Sequence, residues 1–156
     1  MDAPAFRSMA LGGAERFDYA DVILISRPPS TTTDPRVWAE TMFSPAGAPA
    51  LVKAAIGLRM ALAPLIGLRA APRGVFDVRR VQADEALIEF VDDHLTFSCG
   101  VGVDAATVRV TTVVRFNDWR GRLYFTPVSL VHPWVVHAML RRTRRVLARH
   151  GGSARR

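Results

Sequence analysis

The chain has 156 residues, of which 49% are hydrophobic and 22% charged. That is enough apolar material for one domain with its own core and too much for a disordered chain, while a single cysteine excludes an internal disulfide and a cysteine-built zinc cage. Lys plus Arg outnumber Asp plus Glu by 21 to 14, a formal net charge of +7, but only Lys53 is a lysine; such a skew follows from GC-rich coding as readily as from a nucleic-acid partner, so the charge alone does not argue for one.

Residues 1–18 lack periodicity, contain Gly12-Gly13 and read as a flexible arm ahead of a single domain over 19–150, with 151–156 a disordered tail. Asp2, Glu15 and Asp18 interrupt any apolar leader. The most apolar stretch, Ala54 to Leu68, is broken by Arg59 and Pro64 and is too short to span a bilayer. A soluble cytoplasmic protein is the expectation.

Val22 to Ile25 is a β-branched run closed by Arg27-Pro28-Pro29, a strand with a forced exit. Asp34 before Pro35 supplies an N-cap and a first helical position, so a helix follows to Phe43. A second helix is predicted from about Ala48-Pro49, with Leu51, Ala55, Leu58, Leu62 and Leu65 on one stripe and a kink or end at Pro64. Beyond Gly74 the period drops to two. A strand is expected over Val75 to Val81. Ala86, Ile88 and Phe90, then Leu95, Phe97, Cys99, Val101 and Val103, then Val108, Val110, Thr112, Val114 and Phe116 each mark one face of a strand. Asp92-Asp93 and Asp104 to Ala106 are the turns of an antiparallel meander with one apolar face.

Asn117 or Asp118 caps a C-terminal helical region that Pro127 and Pro133 are expected to interrupt, and Gly151-Gly152 is expected to end it. At 3.6 residues per turn, Val135, Val136, Met139, Leu140, Thr143, Val146 and Leu147 share one arc. Arg141, Arg142, Arg144, Arg145 and Arg149 lie on the opposite arc, together with Trp134. From Arg115 onward there are ten arginines and one acid, Asp118.

The predicted order is strand, two short helices, antiparallel meander, long helix. A sheet with one apolar face must cover it, and the C-terminal helix is the obvious cover. The fold class is therefore α+β, a curved antiparallel sheet wrapped on a long C-terminal helix. This layout resembles the helix-grip fold of START and Bet v 1-like (SRPBCC) proteins. More narrowly, Leu58-Arg59 through Leu62 to Gly67-Leu68, Asp92-Asp93-His94-Leu95-Thr96-Phe97, Val110 to Val114, and Gly121 to Phe125 with His132 and Met139-Leu140-Arg141-Arg142 resemble the uncharacterised bacterial DUF2867 family. The resemblance covers roughly Tyr19 to Arg145. It implies a fold, and no family-wide active site comes with it.

The chemical motifs are weak. Gly100-Val101-Gly102-Val103-Asp104-Ala105 matches the dinucleotide fingerprint G-x-G-x-x-A, but a β run follows instead of a helix, so the glycines read as a sheet bend or bulge. His132 and His137 are five apart, the wrong spacing for two ligands on one helix face, and no metal or cofactor is expected. His132, before Pro133, could contact a ligand or the preceding helix's carbonyls, and packing or capping is the favoured reading. Asp92, Asp93 and His94 could supply a general base, but a polar turn is the simpler reading. Glu85 and Glu89 share a polar strand face and are expected to pair with arginines. Cys99, on the apolar face, reads as a small hydrophobe, not a nucleophile. The arginine arc reads first as a solvated face, then as a weak anionic-membrane contact through Trp134; nucleic acid is not an expected partner, and a homodimer stays open.

The expected function is non-covalent binding of a hydrophobic or amphipathic small molecule between sheet and C-terminal helix, lined by Ile88, Phe90, Phe97, Cys99, Val110, Thr112, Val114 and Met139. Thr112 is the one polar group on its strand's apolar face. Two alternatives remain: a cyclase- or hydratase-like enzyme using the same space, and a module docking a partner or membrane through the arginine-rich helix. Strand alternation places no acid or histidine in the interior, so no catalytic residue is named.

Overall fold

The computed structural model describes residues 7–12, 16–47, 50, 53 and 74–153. The predicted second helix, with its Leu51 to Leu65 stripe, lies outside the described residues. In chain order the elements are β1 (Tyr19–Ser26), α1 (Pro35–Phe43), β2 (Arg80–Gln82), β3 (Glu85–Val91), β4 (Leu95–Val103), β5 (Thr107–Phe116) and α2 (Trp119–Ser153). The strands form one antiparallel sheet in the order β1-β5-β4-β3-β2, so the first strand joins the meander beside the last. α2 lies over β1 and β5, and α1 over β3 and β4. This is an α+β, helix-grip-like arrangement.

Strand register lines up four rows of side chains on the face toward the helices. They run Tyr19–Val114–Phe97–Phe90, Asp21–Thr112–Cys99–Ile88, Ile23–Val110–Val101–Ala86 and Ile25–Val108–Val103. The last two rows and the apolar half of the second pack with Trp38, Ala39 and Met42 of α1 and with Val136, Met139 and Leu140 of α2. Asp34 caps α1 by accepting from the Arg36 N–H at 2.9 Å, with Pro35 next, as the sequence predicts. Trp38 is fully buried, its indole N–H donating to Thr32 O at 2.8 Å.

Several expectations are corrected. The strand predicted over Val75 to Val81 is confined to Arg80–Gln82, because residues 74–77 close a turn with Asp77 N–H on Gly74 O. α2 is one helix, not two segments. Pro127 and Pro133 both lie on the exposed side of the helix, where a carbonyl left without its N–H partner can meet solvent, and the Thr126 hydroxyl donates to Arg122 O at 2.7 Å in the same turn. The helix also runs past Gly151 to Ser153, so these residues are not the start of a loose tail; a Cβ at Gly151 would lie 2.1 Å from Ser30 O, a contact that needs glycine.

The second face of the sheet is also partly covered. Within the region read as a flexible arm, Ala10 is buried and packs with Leu87 and Val113. Beneath it, Glu85 accepts from the Ser8 hydroxyl and from Met9 N–H at 2.7 Å. Glu85 therefore anchors the N-terminal segment. Gly100 and Gly102 explain how it fits. The register of β4 runs through both without a bulge. A Cβ at Gly100 would lie 2.1 Å from Glu85 Oε1, and one at Gly102 would lie 2.6 Å from Arg109 Nε. The glycines leave room for long side chains lying across the sheet, and no helix follows them to receive a pyrophosphate.

Candidate binding site

The second row ends in a group that alternation over Val22 to Ile25 did not suggest. β1 begins at Tyr19, which puts Tyr19 and Asp21 on the inner face with Ile23 and Ile25. Across the interface, α2 contributes His132. Asp21 Oδ2 accepts two hydrogen bonds, from the Tyr19 hydroxyl at 2.5 Å and from His132 Nδ1 at 2.8 Å. The Tyr19 oxygen lies 3.4 Å from the same ring nitrogen. Phe125 closes one side: its ring centroid is 5.0 Å from Tyr19 and 6.2 Å from His132. The Asp21 and His132 side chains are each only 14% exposed.

Burial pushes the Asp21 carboxyl up, but hydrogen bonds from His132 and Tyr19, the attraction of His132 and the nearby Thr112 hydroxyl outweigh it and hold it below the usual carboxylate range. Burial and the Asp21 carboxylate raise the Tyr19 phenol, keeping it protonated and a donor. The Asp21 carboxylate holds a proton on His132 Nδ1 and so fixes the orientation of the ring, with Nε2 on its far side. Asp21 Oδ1 is different. It is buried and makes no hydrogen bond of normal geometry among the described residues; the Thr112 hydroxyl, on the paired strand, is the one further donor that acts on this carboxylate. A carboxylate with one oxygen taking two hydrogen bonds and the other taking none of normal geometry keeps capacity for a further donor.

Residues 13–139 match the DUF2867 family, described as a protein of unknown function. The chain belongs to this family. No curated protein and no solved structure matches the chain. The matched span of this DUF2867 domain holds Tyr19, Asp21, Thr112 and His132 and ends at Met139, within α2.

Of the residues the sequence singled out in this DUF2867 chain, Ile88, Cys99, Val110 and Met139 are buried in one cluster with Phe97 packed against it. Val114 and Thr112 are buried between that cluster and Tyr19 and Asp21. Phe90 is half-buried at the far end of the first row. The interior thus has an apolar end at Ile88 and a polar end at Asp21, with Thr112 and Cys99 between them. The Cys99 thiol is fully buried and pushed up to about 12 by burial and by Asp21 and Glu85, which keeps it a protonated, unreactive core group.

The expectation that no acid or histidine lies in the interior is corrected by Asp21 and His132. One signal could have found the first of them: carried back from Ile25 and Ile23, the same alternation reaches Asp21 and Tyr19. The turn at Asp92 to His94 is structural. His94 is buried, its carbonyl accepts from Asn117 and Asp118 N–H, and its ring lies 3.1 Å from Asp118, whose other oxygen caps α2 through Arg120 and Gly121 N–H. Among the described residues, no cluster of three His, Cys, Asp or Glu side chains could hold a metal ion, and no helix is long and apolar enough to cross a membrane.

Proposed function

We propose that this DUF2867 protein binds an amphipathic small molecule between the sheet and α2. Its polar group sits at Asp21, Tyr19 and His132, and its apolar body runs along Thr112, Cys99 and Ile88. The observation that carries this reading is the buried Asp21 Oδ1, which makes no hydrogen bond of normal geometry among the described residues and has the Thr112 hydroxyl near the carboxylate, beside an Oδ2 that already takes two hydrogen bonds. An ionised acceptor in a poorly solvated place favours a neutral or cationic donor, such as a hydroxyl, phenol or amine, over a second carboxylate. The helix-grip-like layout supports the same reading, and membership of the START and Bet v 1-like superfamily is part of the proposal.

A catalytic use of the same place is the second reading, favoured by one observation. The Asp21–His132 bond orients the imidazole and leaves Nε2 to accept a proton from a bound hydroxyl or an activated C–H, which a cyclase- or hydratase-like reaction requires.

Native mass spectrometry of the purified protein tests the binding reading. A small-molecule adduct on the wild type that is absent from Asp21→Asn supports it. A wild type free of adducts that also fails to take up an added alkylphenol contradicts it.

A further inference from the structure

The outward face of α2 carries two features in series. Trp119, Leu123, Leu130 and Trp134, at spacings of four, seven and four, form one stripe, and they are 67%, 54%, 82% and 62% exposed. The same arc continues into Arg141 and Arg145, both exposed. Arg142 and Arg144 donate to Ala46 O and the Ser26 hydroxyl, so part of their capacity is used within the fold. The helix holds seven arginines and no acid along its 35 residues. Arg120 flanks the apolar stripe, its guanidinium lying 5.8 Å from the Trp119 ring.

We infer that α2 docks along an anionic lipid surface. Its Trp119, Leu123, Leu130 and Trp134 enter the boundary between headgroups and acyl chains, while Arg141 and Arg145 meet lipid phosphates. Single exposed hydrophobics need no explanation, but a stripe with two tryptophans on one helix does. Tryptophan suits the lipid interface because its ring is apolar and its N–H is polar. The wholly basic charge of the helix selects an anionic surface over a zwitterionic one. This surface is separate from the interior site and does not depend on what that site holds.

Flotation with vesicles of phosphatidylcholine alone and of phosphatidylcholine with phosphatidylglycerol tests the inference, with tryptophan emission as a second readout. Trp38 is fully buried, so a blue shift reports Trp119 and Trp134. The expected result is binding and a blue shift only with the anionic vesicles, weakened by salt. Arg141→Glu with Arg145→Glu should weaken binding by about tenfold or more, and Trp134→Ala should lose most of the shift; both variants change exposed residues and are checked for native circular dichroism. Should Leu130→Ser be needed because either variant unfolds, it should weaken vesicle binding likewise. Equal binding to both vesicle types, no binding, or a blue shift that grows with protein concentration without vesicles would overturn the inference, the last in favour of a second copy of the chain.

Discussion

Asp21 and His132 are 111 positions apart in the chain, yet Nδ1 of the histidine lies 2.8 Å from Oδ2 of the aspartate. The contact joins the edge strand of the sheet to the helix that crosses it. Its partners are fixed on both sides, by the Tyr19 hydroxyl two residues away and by the Phe125 ring two helical turns earlier. His132→Ala should therefore cost about 1.5–3 kcal/mol, the range for a hydrogen bond to a charged group, read as a lower denaturant midpoint with an unchanged m-value. Asp21→Asn keeps the shape and an acceptor and should cost less.

The acid side of the stability profile follows from Asp21. Its folded-state pKa is lowered, so the stability it contributes is present above the ordinary carboxylate value of about 3.9 and is lost as pH falls through the folded value. Asp104 and Asp118 are lowered as well, the first mainly by Thr107 and Ala106; at Asp118 burial pushes the carboxyl up, but His94 and the N–H groups of Gly121 and Arg120 together outweigh it, and both residues act in the same direction. Urea midpoints measured down through this range should fall for the wild type and fall less for Asp21→Asn.

Gly100 offers a test of the second sheet face. A Cβ there would displace Glu85 from Ser8 and from Met9 N–H. Gly100→Ala should destabilise by about 1–3 kcal/mol through the stranded carboxylate, and it should expose the bond after Arg7 to trypsin in the otherwise native protein. Wild-type cleavage rates at that bond would mean that the N-terminal segment is not held by Glu85.

The two sheet faces differ sharply at Val110 and Leu24. Val110 is 1% exposed in the main core, whereas Leu24 points away from it and is 55% exposed. Val110→Asp should unfold the protein by burying an unpaired charge. Leu24→Asp should shift stability by about 0.5 kcal/mol or less. Thermal melts of the pair check the register of β1 and β5 together.

Much of this architecture is legible in the sequence because it rests on short-range rules. Asp34-Pro35 announces α1, period-two alternation fixes the inner faces of β3, β4 and β5, and the arc through Val136, Met139, Leu140 and Thr143 gives the buried side of α2. The polar end of the interior is less legible. Val22 to Ile25 reads as a continuous apolar run, which hides the alternation that begins at Tyr19. His132 precedes a proline that local rules treat as a break, and only the long helix places it opposite Asp21. Glu85 is harder still, since its burial depends on two glycines on the neighbouring strand and on a segment 76 residues away. Such groups are set by pairing, and no local pattern encodes them.

The most direct measurement is a thermal-shift and calorimetric titration with two probes of equal chain length, a para-alkylphenol and an alkyl carboxylate. Because Asp21 is ionised and its Oδ1 keeps capacity for a further donor, the phenol should bind at one saturable site and raise the melting temperature by mass action, while the carboxylate should not. Asp21→Asn should erase that preference without unfolding the protein, and Trp134→Ala should leave it unchanged. Binding of neither probe, or a phenol affinity that survives in Asp21→Asn, would contradict the account.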